Sequence, residues 1–271
     1  MKGVFEMKNI KTYTVKLLTL EPNHIGGKDK PLSDIENPFA IVGQRLCIPG
    51  PTLKGSLRSQ LEHWLNDQYV EKGVWVDELL KPCIPSVRLS KEEEPLVSKR
   101  FRGTACKYEP ARQKKGRHFQ EGSDSLTICP ICYLLGAAGL VGFVNVPFLF
   151  CNERLEEDLY SASIDRATQT IRGSANRPYQ IVPPNVEFTG IMEVLIEDTL
   201  LGWKLGNKRP LVEHPNADNW LINQKSGHWN KEKVLKDLLI ERLQSIDRIG
   251  GYRSKGCGKI KITVTENDKQ E

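Results

Sequence analysis

Apolar and polar residues alternate through KTYTVKLLTL (11–20), the pattern of a half-buried strand, and EFTGIMEVLIED (187–198) alternates around Ile191 and Val194. KIKITVT (259–265) alternates as well, and GFVNVPFLF (142–150), apolar nearly throughout, reads as a buried strand. Two segments change to helical spacing. Leu53, Leu57, Leu61, Trp64 and Leu65 form one stripe, with Thr52 as predicted N-cap just after Pro51. KEKVLKDLLIERLQSI (231–246) puts Val234, Leu235, Leu238, Leu239, Leu243 and Ile246 on one face.

The segments between are less regular. Residues 21–50 carry Gly and Pro without a period and read as a long loop. Residues 71–128 are charged, irregular and cysteine-bearing, an insertion too poor in apolar residues to build a core of its own. SASIDRATQTIRGSANRPYQIVPPN (161–185) is polar with β-branched residues and a central Gly-Ser-Ala-Asn, which predicts a long hairpin arm; a loop holding Trp203, Trp220 and Trp229 follows. Strand, helix, strand, further strands, helix, strand is an α+β order that fits the split βαβ, ferredoxin-like arrangement also used by RNA-recognition modules. No strand carries their basic-Gly-aromatic-Gly-aromatic signature.

Composition narrows the class. With 271 residues, 39% hydrophobic and 27% charged, the chain can bury one substantial core or two modest ones. No apolar run approaches the roughly 18 to 20 residues that cross a bilayer, and the N-terminus lacks a signal peptide's apolar segment, so the expectation is a cytoplasmic protein with no membrane partner. A net charge of +5 permits an anionic partner. Cations crowd into 99–117 and 248–261, acids into 92–94 and 153–158. Seven cysteines is an odd number, which points to thiols or a metal site rather than a disulfide framework.

IPGPTLKGSLRSQLEHWL (48–65) turns into a helix whose first N–H groups are unpaired, with Lys54 and Arg58 one turn apart on one face. This suits a phosphate backbone, or is a capped amphipathic helix with solvated cations. GGYRSKGCGK (250–259) sets Arg253, Lys255 and Lys259, with Arg248 just ahead, among Gly250, Gly251, Gly256 and Gly258, which permit positive φ and close backbone approach. It is neither a P-loop nor a Rossmann fingerprint. Cys129 and Cys132 form a C-x2-C knuckle, and Cys106 with His118 completes a candidate Cys3His zinc site, with Cys83 as substitute ligand; the alternatives are buried reduced thiols or a redox pair. Cys47, Cys151 and Cys257 lie in or beside apolar segments and are expected in the core. No nucleophilic triad is supported. His24 is a candidate base, and Asp29, Asp34 and Glu36 are loop carboxylates able to hold a divalent ion or accept a proton.

HIGG (24–27), IPGPTLKGSLR (48–58), CPICYLLGAAGLVGFV (129–144), SIDRATQTIRGSA (163–175) and GGYRSKGCGKIKI (250–262) together resemble the repeat-associated mysterious protein (RAMP) superfamily of CRISPR effector complexes, in family order and over nearly the whole chain. The resemblance is greatest to the repeating, guide-binding backbone subunit of type III and related effectors. It implies a single domain: a modified RRM-like, ferredoxin-like palm (1–70, 133–160, 186–200 and 231–265), a zinc-bearing insertion (71–132), a projecting β-hairpin thumb (161–185) and a Trp-containing loop (201–230).

It also implies partners and roles. CRISPR RNA, target RNA, further copies of the chain and other effector subunits are the expected partners, in antiviral defence. His24, Lys54, Arg58, Arg166, Arg172, Arg248, Gly251, Arg253, Lys255 and Gly256 would form the RNA-binding set, with the hairpin wedging between guide and target. Cys106, His118, Cys129 and Cys132 would hold structural zinc. Family members that cut target RNA have an Asp-x-Pro segment where this chain has DIENPF, with Glu36 at the acidic position and Asp34 two residues earlier. A displaced carboxylate can lower a rate on the order of 100-fold. The expectation is therefore a scaffold without catalysis; the alternatives are a magnesium-dependent target endoribonuclease using Asp34 or Glu36, and a guide-precursor nuclease with His24 or Tyr13 as base.

Overall fold

The computed structural model describes residues 7–27, 37–84, 92, 94–102, 105–108, 127–211, 214–223 and 227–267. Asp34, Glu36 and His118 lie outside them, as does Asp29. Two compact units emerge, each drawn from three stretches of sequence: Met1–Thr12, Arg58–Asn145 and Glu193–Arg242 in the first, Tyr13–Leu57, Val146–Met192 and Leu243–Glu271 in the second. The fold is mixed α+β with a large antiparallel sheet.

In the second unit the sheet runs β12-β1-β10-β7-β3-β2. Strand β1 (Lys8–Thr19) pairs antiparallel with β12 (Ile260–Glu266), Leu17 opposite Ile262 and Val15 opposite Val264. On its other side the Thr19 amide donates to Val186 O at 3.0 Å, just ahead of β10 (Glu187–Asp198). Strand β7 (Leu149–Phe150) lies between β10 and β3 (Arg45–Ile48), with Phe150 opposite both Thr189 and Cys47, and β3 pairs with β2 (Ile41–Val42). Val15, Leu17, Phe39, Leu46, Ile48, Phe188 and Ile262 fill the core beside it.

In the first unit the far half of β10 pairs with β6 (Val144–Asn145) and β11 (Trp203–Lys204). A small hairpin, β4 (Val70–Glu71) and β5 (Val74–Trp75), follows helix α1 (Gly50–Tyr69); α2 (Glu94–Val97) is a single turn and α3 (Pro130–Leu135) is short and wholly buried. Helix α4 passes from Lys231–Lys233 through a π-helical stretch, Val234–Ile240, to Glu241–Gln244, with the Asn230 side chain accepting from the Lys233 amide at 2.8 Å as its cap. Val234, Leu238, Leu239 and Leu243 are buried, as the helical stripe predicts.

The structure departs from the sequence reading in four places. The N-cap is not Thr52: α1 begins at Gly50, and the Pro49 carbonyl accepts from the amides of Thr52 and Leu53 at 2.9 and 3.2 Å. Pro51, with its helical φ and no N–H, sits inside the first turn, where no donor is needed. Gly50 is required ahead of it because a Cβ there would lie 2.8 Å from Val146 O. The apolar run 142–150 is two short strands, β6 and β7, interrupted by Val146-Pro147-Phe148, where Pro147 cannot donate to a ladder.

Strand β10 has the predicted bounds, but its inward set is Phe188, Met192, Val194 and Ile196, and Ile191 is 49% exposed. The even positions face the core, so Ile191 belongs to the outer face. The hairpin exists as β8 (Glu157–Ile164) and β9 (Ile171–Ile181), yet its turn is Asp165–Thr170 and the Gly-Ser-Ala-Asn lies within β9. The Asp165 carboxylate accepts from the amides of Ala167 and Thr168 at 2.8 and 3.3 Å, and Gln169 takes φ 55°; an Asx-turn does the work expected of glycine.

Candidate metal centre and nucleic-acid interface

Four thiols meet in the first unit. The Sγ atoms of Cys83, Cys106, Cys129 and Cys132 lie within 4.8 Å of one another, all buried, and Cys83 Sγ is 3.4 Å from Cys132 Sγ. A tetrahedral ion with sulfur ligands at about 2.3 Å requires sulfurs roughly 3.8 Å apart, so the set fits zinc or another soft divalent ion. The knuckle arises as predicted: Cys129 stands at the N-cap of α3, Pro130 starts the helix, and Cys132 falls one turn along. Of the predicted ligands, Cys106, Cys129 and Cys132 come together. Cys83 takes the fourth corner, and His118 lies outside the described residues.

Arg102, which the sequence reading passed over, frames this centre. Its guanidinium donates to Lys81 O at 2.7 Å, to Thr127 O at 3.0 Å and to Leu79 O at 2.5 Å, tying the approach to Cys83 to the approach to Cys129. Cys83 itself bridges to Arg102. On the opposite strand, the Tyr108 amide donates to Ala138 O at 2.8 Å, and a Cβ on Gly139 would lie 2.0 Å from Tyr108 O, so glycine is obligatory where the Cys106 segment passes α3. Close packing makes the thiols share protons. Hydrogen bonds from Cys106, Cys129 and Cys132 pull the Cys83 thiol far below its ordinary value, and Cys132 is lowered to about 7, chiefly by its hydrogen bond with Cys106. Burial holds Cys129 up. Thiolates available at neutral pH are what a soft cation binds. Cys47, Cys151 and Cys257 are buried, as expected, and are not among the four.

The second unit carries the glycine-rich loop. Gly250, Gly256 and Gly258 have φ of 90°, 77° and 99°, and Tyr252 takes φ 54°, a strained value for a bulky residue. A Cβ on Gly250 would meet His24 O at 2.3 Å, whereas Gly256 has open space around it and owes its glycine to its positive φ. The Gly251 amide donates to His24 O at 2.9 Å. His24 is 7% exposed, and its Nδ1 donates to Gln180 O at 2.6 Å, which fixes the tautomer with Nδ1 protonated. Its ring lies 4.8 Å from that of Tyr252 and 6.3 Å, edge-on, from that of Tyr179, and the two tyrosines are 4.6 Å apart. One aromatic group thus joins the HIGG turn, the base of β9 and the glycine-rich loop.

Around that group the cations differ. Lys255 is exposed, its Nζ 5.0 Å from the Tyr252 ring. Arg253 is exposed and braces the loop through Nε to Gly250 O at 3.1 Å and Nη2 to Arg248 O at 3.5 Å. Arg248 instead pairs with Glu21 at 2.9 and 3.3 Å and donates to Cys257 O at 3.0 Å, a fastening of the loop's root. Lys54 is exposed near the start of α1, with no ion-pair partner among the described residues. Arg166 is exposed in the hairpin turn, and Arg172 lies in β9. Arg58 faces inward, Nη2 3.2 Å from Cys132 Sγ. Tyr13 is 5% exposed within β1. Tyr179 and Tyr252 lie outside the set predicted from sequence: no local pattern encodes their partnership, and Tyr252 is marked in the sequence only as the single ring in a loop of glycines and cations.

Fold and sites together define a mixed α+β protein with four clustered cysteines able to hold a metal ion and, in its other unit, a basic glycine-rich loop held on an aromatic frame. A family model for the RAMP superfamily matches residues 16–261, nearly the whole chain, and the protein belongs to that superfamily. The family points to CRISPR-associated RNA binding. Comparison with curated proteins gives no match. Among the described residues no helix is long and apolar enough to cross a membrane.

Proposed function

We propose that this protein is the CRISPR RNA-binding backbone subunit of a type III or type III-derived effector, with copies arrayed along one guide beside other effector subunits. The observation that carries this reading is the aromatic frame of His24, Tyr179 and Tyr252, which fixes a loop presenting Arg253 and Lys255 and joins it to the base of a long hairpin. Lys54, Arg253 and Lys255 neutralise guide phosphates, and the loop backbone at Gly251 and Gly256 approaches them closely. The sheet acts as a palm of RRM type and the hairpin as a thumb. Its outer part exposes Tyr160, Ile164 and Ile171 (67%, 64% and 59%), apolar surface suited to wedging between bases of the guide–target duplex. Arg166 and Arg172 supply charge there. Recognition is of backbone and shape, while base pairing reads sequence. The metal centre is structural and takes zinc; magnesium enters only if the complex cuts RNA.

The test is titration of a guide-length CRISPR RNA with the wild-type chain, Lys54→Glu and Arg253→Glu, with assembly followed by sedimentation. Both variants should lose guide affinity and fail to form the multi-copy particle. Wild-type binding in both would overturn the reading. Labelled complementary RNA with magnesium, run with Asp34→Ala and Glu36→Ala, distinguishes a scaffold from a subunit that also cleaves.

A further inference from the structure

The side chain of Arg58 is directed at the metal centre. Its Nη2 lies 3.2 Å from Cys132 Sγ, and its Nη1 is 3.5 Å from Glu62 Oε1, one helical turn along α1. Both side chains are largely covered, 18% and 20% exposed, and Nη1 makes no hydrogen bond apart from that longer ionic contact. Four thiolates around a divalent cation carry a net charge of −2. In a buried site that excess is costly unless cations or N–H donors face the sulfurs. Among the described residues Arg58 is the cationic side chain that donates to a sulfur of the cluster.

We propose that Arg58 is a positioning residue of the metal centre, which brings the net charge of the metal-thiolate group from −2 to −1 and holds the Cys132 thiolate in place, rather than a phosphate contact. Arginine suits the role for two reasons. It stays protonated beside any anion, and its planar fork lets one nitrogen face sulfur while the other faces Glu62. Glu62 keeps the guanidinium from swinging outward. On α1 the two cations that share one turn then have separate duties: Lys54, exposed, faces solvent and its ligands, and Arg58 faces thiolate. The inference rests on the four-cysteine centre and needs no RNA for its test.

The experiment uses the full chain loaded with zinc, or with cobalt(II) in its place, as wild type, Arg58→Met, Arg58→Lys and Lys54→Glu. Transfer of zinc to a chromogenic chelator is timed, and the sulfur-to-cobalt charge-transfer absorption is recorded. Loss of a hydrogen-bonding partner around a metal ligand typically weakens metal binding about 10- to 100-fold. Arg58→Met should release zinc faster by a factor of that order. Its charge-transfer band should move to longer wavelength, because a thiolate without its N–H donor gives up electron density more readily. Arg58→Lys keeps charge without the fork and should fall between Arg58→Met and wild type. Lys54→Glu should release zinc at the wild-type rate.

Guide RNA affinity, measured at saturating zinc, should fall less in Arg58→Met than in Lys54→Glu. Zinc release at the wild-type rate with an unmoved cobalt band overturns the proposal, as does an equal loss of RNA affinity in the two variants at full zinc occupancy. If Arg58→Met does not fold, Arg58→Lys decides: wild-type release and spectrum overturn it.

Discussion

The rings of Tyr179 and Tyr252 lie 4.6 Å apart, one at the base of a hairpin strand and the other in a glycine-rich loop, with His24 4.8 Å from the second. Tyr252 holds φ 54°, a conformation that loops ordinarily assign to glycine or asparagine. The aromatic contacts compensate for that strain, so the loop is set in one shape before any ligand arrives. A pre-set loop loses less entropy on binding than a free one.

Replacing the ring tests this directly. Tyr252→Ala keeps the strained backbone and removes its support, a loss of about 0.5–1.5 kcal/mol for each aromatic contact. One or two kcal/mol corresponds to about 5- to 30-fold. Guide RNA affinity should fall within that range while zinc content stays unchanged. Tyr252→Phe should retain affinity, since among the described residues the Tyr252 hydroxyl makes no hydrogen bond. Unchanged affinity in Tyr252→Ala would remove the case for a pre-set loop.

Salt dependence separates phosphate contacts from fastenings. Arg253→Gln should lower the slope of log affinity against log salt by about 0.7, one phosphate on a single strand. Arg248→Gln should not act that way. Its guanidinium pairs with Glu21 and Cys257 O, so its loss should lower the melting temperature and weaken binding with the slope preserved.

What could be read from the sequence was local. The stripe of Leu53, Leu57, Leu61 and Leu65 is a helix with all four side chains fully buried, because helical spacing alone puts them on one side. Cys129 and Cys132 share a site because they stand three positions apart across the first turn of a helix. Cys83 joins them through tertiary structure, by way of Arg102, and the sequence offered it only as a substitute. The His24–Tyr179–Tyr252 group is wholly non-local, and so is the inward turn of Arg58. The hairpin turn was misplaced for a different reason: Asp165 closes it with its side chain, so the glycine nearby was free to sit in a strand.

The fourth ligand can be assigned by substitution. Cys83→Ser and Cys106→Ser should each lose bound zinc and melt at lower temperature, whereas His118→Ala should keep about one zinc per chain, since four sulfurs complete a tetrahedron. Metal analysis of the purified variants decides it. Chelator should destabilise the wild type and leave the melting of Cys83→Ser nearly unchanged, because that variant has no ion left to lose.

The first unit holds one further charged pair whose energetics can be stated with a sign. Arg209 and Asp218 are 0% and 1% exposed at the side chain, joined by Nη2 to Oδ1 at 2.7 Å and Nε to Oδ2 at 2.8 Å. The guanidinium also lies 4.8 Å from the Tyr133 ring and 5.6 Å from that of Trp203. Removing one partner leaves a buried charge unpaired, which costs about 3–5 kcal/mol; removing both in favour of apolar groups of similar volume is often neutral. Asp218→Ala should therefore destabilise the protein by about that amount, and Arg209→Met with Asp218→Leu should recover most of it. The double variant still lacks one bond that Asp218 provides, since its carboxylate also accepts from the Arg209 amide at 3.1 Å, so recovery should be incomplete. Denaturant unfolding of the zinc-loaded chains measures all three. A double variant no more stable than Asp218→Ala would mean that the pair specifies the conformation of the 203–220 segment, and that its replacement by apolar volume cannot restore the fold there.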